Sequence, residues 1–196
     1  MMTSKTVVFT SELGSGARLI AKQLADELGV EFYGEEDLLK EAARESGIEE
    51  KVFRDYDEKL ANLSMDLEKA EDGMAQKIFE AYSNTIMRIA EAGPCILMER
   101  GADIVLKGKI NFLNVYTYTS DMTKKIERCV RVSGVTEEEA PSFIASQSQQ
   151  RQLYYQSFSN IKRGSMNEYD LCLNTDTLTK EALDMARCTA VVRAAL

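Results

Sequence analysis

The fold is decided by the stretch from Lys5 to Tyr33, which reads KTVVFTSELGSGARLIAKQLADELGVEFY. A short β-branched, apolar run opens it and predicts a buried strand, and Gly14 and Gly16 lie in the turn that follows. Apolar residues then recur at the spacing of an amphipathic helix, which ends at Gly29 before a second short strand. This βαβ unit predicts a parallel sheet with helices packed on its faces.

The remaining sequence continues the alternation of strands and helices. Residues 35–92 have helical periodicity, with breaks near Gly47 and around Asp72-Gly73. Three further strands are predicted, at 95–98, 112–119 and 169–175. A last helix is expected at 179–195. The pattern therefore predicts one α/β domain over residues 1–196, with a five-stranded sheet and a helical insertion at about 34–92.

Capping motifs mark two helix starts between the fourth and fifth strands. Asp121 directly follows the fourth predicted strand and is expected to cap a helix. Thr136 and Glu139 have the spacing of a capping box, at the start of a polar helical segment over 136–160. Two helices are therefore expected between these strands.

Composition excludes several classes of chemistry. The 196 residues include no histidine and no tryptophan, and the formal net charge is −8. Without histidine the chain cannot form a Ser-His-Asp triad, a His-ligated zinc site or an imidazole acid–base pair. The acidic balance argues against general binding to nucleic acid or to membrane surfaces. No signal peptide is evident and no apolar run approaches the ~18 residues that cross a bilayer, so the cytoplasm is the expected compartment.

The charges are unevenly distributed. Residues 31–80 hold 16 acidic and 7 basic side chains, whereas residues 100–163 hold ten basic and six acidic ones. A solvated helix face is the simplest explanation of the acidic run, and the basic part has room for an anionic ligand. The four cysteines are far apart in apolar runs, and we expect them to be buried free thiols: Cys95, Cys129, Cys172 and Cys188.

The glycine turn after the first strand is the candidate phosphate loop. It consists of Gly14, Ser15, Gly16, Ala17 and Arg18. A helix amino terminus offers unpaired N–H groups and a partial positive charge, which attract phosphate. The turn matches the GxxxxGK[ST] pattern poorly, so a purely structural βα turn fits as well. Arg18 favours phosphate, because a cation in the first helical turn opposes the helix dipole unless an anion lies nearby.

Several segments together resemble the cytidylate-kinase-like proteins, relatives of bacterial cytidylate kinase within the P-loop nucleoside monophosphate kinases. They are TSELGSGARLIAKQLADELGVEFY, the run through Asp57-Glu58-Lys59, AEAGPCILMERGADIVL, RQLYYQSF and NEYDLCLNT, in family order. The resemblance covers nearly the whole chain. It implies a three-layer α/β/α P-loop fold with a parallel five-stranded sheet, a helical acceptor-binding insertion, and a lid at about 134–166.

The resemblance also implies an activity. Members of this group transfer the γ-phosphoryl group of ATP, with Mg²⁺, to a nucleoside monophosphate such as CMP. This chemistry needs positioning and cationic stabilisation more than acid–base help, so a histidine-free chain can support it. The alternative is a nucleotide-binding module that has lost efficient transfer and acts as a sensor or partner-binding protein. Either way, small-molecule nucleotides are the expected partners, and no metal ligands are assigned to the protein.

Site residues follow from the resemblance position by position. Residues 14–18 are expected to bind nucleotide, with Arg18, Arg128 and Arg151 in catalytic roles. Arg100, Asp103 and Arg131 are expected to bind the acceptor. Independently, Lys124, Arg128 and Arg131 fall on one helix face, for which a solvated surface is the alternative. Tyr154 and Tyr155 follow Arg151 and are expected to pack beneath it rather than stack on a base.

The chain departs from the family pattern at several of these places. Ser11 stands where the family commonly has arginine, Glu99 where it has glycine, and Arg163 where it has tryptophan. Residues 148–150, Ser-Gln-Gln, replace a charged stretch of the lid. Because Glu99 precedes Arg100, we expect its carboxylate to neutralise that cation. The site is therefore predicted to hold fewer positive groups than its relatives.

Overall fold

A computed structural model of the protein describes residues 5–62, 73–176 and 182–196. Its strands are β1 (Thr6–Ser11), β2 (Glu31–Tyr33), β3 (Cys95–Met98), β4 (Phe112–Tyr118) and β5 (Leu171–Asn174). Its helices are α1 (Ala17–Leu28), α2 (Glu35–Ser46), α3 (Glu50–Asn62), α4 (Met74–Ala92), α5 (Ala102–Leu106), α6 (Met122–Ser133), α7 (Ala140–Phe158) and α8 (Ala182–Ala194). A short 3₁₀ turn at Met166–Glu168 precedes β5.

The five strands form one parallel sheet in the order β2-β3-β1-β4-β5. Successive β1 residues face opposite sides, so Val8 packs with α2 and α4 while Val7 and Phe9 pack with α1 and α8. The predicted three-layer α/β/α fold is therefore confirmed. The order places β1 and β3 side by side, so the loops after these strands meet at one edge of the sheet, called here the carboxyl edge.

Helices α2, α3 and α4 lie between β2 and β3, in the stretch predicted as a helical insertion and called the helical insertion below. The break predicted near Gly47 is confirmed, because this residue ends α2 in the left-handed conformation at φ 71°. The break predicted around Asp72-Gly73 coincides with Gly73, which precedes α4, while Asp72 lies outside the described residues. Phe53 and Tyr82 meet edge to face, with ring centroids 5.2 Å apart, and join α3 to α4 in the core.

The segment predicted as a lid contains α7. Tyr154 and Tyr155 are buried on this helix with Leu153, as expected of packing residues. Phe158 stacks on Phe79 of α4 with ring centroids 4.2 Å apart. The lid segment (134–166) is thus packed against the helical insertion.

Several local expectations are confirmed, corrected or extended. Asp121 caps α6 as predicted, and Thr136 and Glu139 make the reciprocal bonds of a capping box, but the helix itself begins only at Ala140. Cys172 is half-buried rather than buried, because β5 lies at the edge of the sheet and, among the strands that the structure describes, pairs with β4 alone. Helix α5 was not predicted. The predicted last helix is described only from Ala182 onward.

Candidate active site

The glycine loop follows β1 and leads into α1. Gly14 and Gly16 have φ values of 78° and 83°, a conformation that side chains other than glycine seldom adopt. A Cβ atom at Gly14 would lie 2.8 Å from the backbone oxygen of Lys125, so α6 also requires glycine there. Within the described residues, no side chain caps α1. The amino terminus of α1 therefore opens onto the loop with backbone N–H groups available to an anion.

Arg128 supports this loop from α6. Its Nη1 atom donates to the carbonyl oxygen of Gly14 at 2.9 Å and lies 3.4 Å from the hydroxyl of Thr175. Thr175 in turn donates to the carbonyl of Ser15 at 2.9 Å. Two loop carbonyls are thus turned toward protein donors.

Other cations of the predicted set lie in different surroundings. Arg18 is exposed, with its guanidinium 5.7 Å from the ring centroid of Phe32. Arg131 is exposed in the last turn of α6, where a cation complements the helix dipole. Lys124 donates to the backbone carbonyl of Asp176 at 2.8 Å. Of the three cations predicted on one face of α6, Arg128 is therefore the one bonded to the glycine loop.

Glu99 is the centre of a buried ion cluster at the carboxyl edge. Its Oε1 atom accepts hydrogen bonds from the backbone N–H and hydroxyl of Ser11, both at 2.8 Å. Arg151 and Arg163 approach the same carboxylate at 3.3 and 3.2 Å, and both also donate to the carbonyl of Ser11. Arg151 extends further, to Glu35 at 2.8 Å. The expectation that Glu99 neutralises Arg100 is wrong, because its partners are the two arginines of the lid segment.

The backbone at Glu99 explains this difference. Glu99, Arg100 and Gly101 have φ values of 64°, 56° and 69°, so three successive residues adopt the left-handed conformation. For residues other than glycine this conformation costs about 1–2 kcal/mol each. It directs the neighbouring side chains to different partners. Such strain is concentrated at functional sites.

The electrostatics of the cluster favour an ionised Glu99. Burial alone would raise the pKa of this carboxyl group, but Arg151, Arg163 and the hydrogen bonds from Ser11 outweigh burial and lower the pKa. Two carboxylates, Glu99 and Glu35, face the two arginines. The cluster is therefore balanced in charge.

Arg100 points toward the helical insertion. Its Nη1 atom donates to Asp57 of α3 at 2.7 Å, and its guanidinium lies 5.2 Å from the ring centroid of Tyr82. Tyr154 donates to the carbonyl of Arg100 at 3.2 Å. The predicted acceptor-binding cation therefore lies between the insertion and the lid segment.

Asp103, predicted beside Arg100 in the acceptor site, is buried on α5. It accepts a hydrogen bond of 2.6 Å from the hydroxyl of Tyr155, which also lies 3.2 Å from the hydroxyl of Thr10. Burial raises the pKa of the Asp103 carboxyl group, although the bond from Tyr155 opposes the shift. Asp103 thus ties α7 to α5, and Tyr155 ties α7 to the sheet through Thr10 of β1.

The comparison with protein families agrees with this geometry. The cytidylate kinase-like family matches residues 6–177, which include the sheet, the glycine loop and the ion cluster. The chain belongs to the cytidylate kinase-like family. Among its relatives, the cytidylate kinase of Ignicoccus hospitalis is 27% identical over 182 residues, covering 90% of this chain and 93% of that protein. The resemblance inferred from the sequence is confirmed.

Solved structures show the same fold. A protein from Eubacterium ventriosum superposes with a TM-score of 0.71 at 21% identity, covering 97% of each chain. Shikimate kinase from Bacteroides thetaiotaomicron gives a TM-score of 0.58 at 13% identity, also over 97% of each chain. Deoxyadenosine kinase from M. mycoides gives 0.51 at 14% identity, over 96% of this chain and 99% of that one. The P-loop kinase fold is therefore established.

The family implies Mg²⁺, and the residues at the loop fit an ion that enters with a nucleotide. Within residues 5–62, 73–176 and 182–196, no group of three or more His, Cys, Asp or Glu side chains is arranged to hold a metal. Mg²⁺ at nucleotide sites is commonly bound by one or two protein oxygens plus substrate phosphates and water. The hydroxyls of Ser15 and Thr117 are bonded to each other at 3.1 Å and are buried, so an ion at this loop would be held mainly by the nucleotide's phosphates and water.

Two further carboxylates of this cytidylate kinase-like chain were not predicted from sequence. Asp57 and Glu35 pair with Arg100 and Arg151, the cations assigned to substrate. The chain separation of 43 residues between Asp57 and Arg100 leaves no local signal for the pair. The feature of the sequence that points to Asp57 is the resemblance of the run through Asp57 to the family.

Within the described residues, no helix is both long and apolar enough to cross a membrane.

Proposed function

We propose that the protein transfers the γ-phosphoryl group of ATP to a nucleoside monophosphate of the CMP type. Family membership and the P-loop kinase fold support a kinase-like phosphotransferase. The observation that carries the proposal is the glycine loop at the amino terminus of α1, with Arg128 and Arg151 reaching the same edge of the sheet. This arrangement combines backbone donors with cations, as phosphoryl transfer requires.

The residues divide into donor and acceptor sides. Residues 14–18 bind the ATP phosphates through backbone N–H groups, and Arg128 fixes the loop through Gly14. Arg100 and Asp103 lie on the acceptor side, where Arg100 binds the acceptor's phosphate. Arg151 lies between the two sides and stabilises the charge on the transferred group. Mg²⁺, when bound with ATP, neutralises charge on the β- and γ-phosphates.

The test is a coupled assay of ADP release with ATP, Mg²⁺ and a panel of CMP, dCMP, UMP, AMP and GMP. We expect ADP release that depends on both Mg²⁺ and a pyrimidine monophosphate. Arg100→Gln should raise the KM of the acceptor more than it lowers kcat, because Arg100 contacts the phosphate before and during transfer. Arg88→Gln is the matched control, since Arg88 pairs with Glu41 and Glu45 on the exposed side of the insertion.

Two outcomes separate this proposal from its alternative. Turnover with one or more monophosphates supports a kinase. Thermal stabilisation by ATP without ADP release, for every acceptor tested, would refute transfer and favour a nucleotide-binding module. In that case the paired carboxylates Glu99, Glu35 and Asp57 would explain the missing activity, because they already occupy the arginines.

A further inference from the structure

We propose that Asp57 is an internal competitor of the acceptor. Its carboxylate occupies the place on Arg100 that the acceptor's phosphate takes, and the acceptor binds by exchanging one anion for the other. The inference rests on the proposed function. It adds that Asp57 holds Arg100 in position for a phosphate before the acceptor binds.

The hydrogen bonds of Arg100 show unused capacity. Asp57 engages it at one point, between Nη1 and Oδ1 at 2.7 Å. The Nε atom of Arg100 is buried and, within the described residues, has no hydrogen-bond acceptor. A guanidinium binds phosphate most strongly with two parallel N–H groups, and a buried N–H without an acceptor is unfavourable. A phosphate that accepts from both Nη1 and Nε would therefore bind Arg100 better than Asp57, which accepts from Nη1.

Asp57 can release Arg100 without unfolding α3. Its side chain keeps 20% of its surface exposed, so rotation toward solvent is open to it. Its backbone carbonyl accepts a separate hydrogen bond of 2.5 Å from Gln150 of α7. The exchange therefore needs only a side-chain movement, while the main chain remains attached to the lid segment.

Arg151 shows the same arrangement on a second cation. Its Nη1 atom is bonded to Glu99 and to the Ser11 carbonyl, and its Nη2 atom is bonded to Glu35, which is the first residue of α2. Each of these arginines thus holds a carboxylate of the helical insertion. A phosphate that enters while both carboxylates stay in place meets their repulsion, so removing one carboxylate should tighten acceptor binding.

The test compares Asp57→Asn with Asp55→Asn by calorimetric titration with CMP. Asp55 is exposed on the same helix, so its variant makes the same charge change away from Arg100. Asp57→Asn should bind CMP about five- to tenfold more tightly than the unaltered protein, the range expected when a charged competitor becomes neutral. Asp55→Asn should stay within about twofold, because solvent and salt screen its charge. In an Arg100→Gln background, Asp57→Asn should lose most of its effect on CMP affinity, because the competition for Arg100 is gone and the repulsion between the two anions is all that it relieves.

A second measurement uses the unaltered protein, in case Asp57→Asn fails to fold. The carboxyl ¹³C resonance of Asp57 should move toward that of exposed Asp55 as CMP saturates the site. An unmoved resonance would overturn the exchange, and so would Asp57→Asn binding CMP no more tightly than Asp55→Asn or not binding it at all.

Failure of the proposed function would look different. Absence of ADP release in every variant, with the CMP affinities as predicted, would remove the kinase and leave the exchange. Normal turnover with equal CMP affinities in the two asparagine variants would remove the exchange and leave the kinase.

Discussion

Replacing Glu99 with glutamine isolates the charge of the ion cluster. Glutamine has nearly the same shape and can still accept the two hydrogen bonds from Ser11. It cannot neutralise the charges of Arg151 and Arg163. The N–H groups of its amide would also face the N–H groups of the two guanidinium groups, so that donors would meet donors. In the variant, Arg151 still pairs with the carboxylate of Glu35, whereas Arg163 has lost the carboxylate that it paired with. We expect a large loss of folding stability.

The size of the loss follows from burial. The side chains of Glu99 and Arg163 are 4% and 7% exposed, and that of Arg151 is 17% exposed. Removing one partner of a buried ion pair costs about 3–5 kcal/mol. The lower end applies, since the bonds from Ser11 persist and Arg151 keeps Glu35. A loss of about 3 kcal/mol corresponds to a decrease in Tm of about 6–12 °C for a chain of this length.

Urea unfolding followed by far-ultraviolet circular dichroism measures this effect, since the chain has no tryptophan to report by fluorescence. Glu36→Gln is the control. Glu36 pairs with Arg54 at 2.6 Å, but both side chains are more than 40% exposed, so its loss should stay below about 1 kcal/mol. Equal losses for Glu99→Gln and Glu36→Gln would refute the conclusion that the buried cluster stabilises the fold.

The backbone strain at Glu99 can be separated from its charge. Glu99→Ala and Glu99→Gly both remove the carboxylate, but glycine also accepts the φ of 64°. Glu99→Gly should be more stable than Glu99→Ala by about 0.5–1 kcal/mol. This difference is the free energy that alanine loses in the left-handed conformation minus the free energy that glycine loses through its greater chain entropy in the unfolded state. The reverse order would show that this part of the backbone is not strained.

Three further changes test the loop and the cluster. Gly14→Ala should cost about 1–3 kcal/mol of stability and weaken ATP binding in a thermal-shift titration, whereas Gly29→Ala, at φ 65° with open space around it, should leave ATP binding intact. The pKa of Glu99 is lower in the folded protein than the value of about 4.3 in the unfolded chain. The ionised carboxylate therefore stabilises the fold fully above about pH 4.3, and this stabilisation disappears as the pH falls through the lower, folded-state pKa. Glu99→Gln should consequently reduce the slope of the unfolding free energy against pH on the acid side. Tyr155→Phe should cost about 1–3 kcal/mol at pH 7, because the ionised Asp103 loses the hydrogen bond from Tyr155, and the cost should shrink as the pH falls through the raised pKa of Asp103; a loss that does not change with pH would contradict this.

The sheet was predictable because its signals are local. The apolar runs at 95–98 and 112–119 match β3 exactly and β4 to within one residue, and Gly47 ends α2 where the helical pattern breaks. A strand buried on both faces leaves a continuous apolar run in the sequence. Helix α5 leaves no such trace, because five residues are fewer than two turns and show no periodicity.

The ion pairs of the site were not predictable, because their partners are distant in the chain. Arg151 lies 52 residues from Glu99 and 116 from Glu35, so spacing carries no information about either contact. The ion pair predicted between the adjacent residues Glu99 and Arg100 was wrong because of the backbone conformation. Glu99 and Arg100 invite a local ion pair, but their left-handed backbone sends one side chain to the lid segment and the other to α3.

Three of the residues predicted to depart from the family pattern form one unit. Ser11, Glu99 and Arg163 bond to one another at the carboxyl edge. Replacing Glu99 alone with an apolar residue would leave the two guanidinium groups and Ser11 without this acceptor, which is unfavourable by several kcal/mol. Arg151 and Arg163 therefore contribute positive charge at the carboxyl edge only while the lid segment lies against the sheet, and Glu99 is the anion that pairs with both of them there.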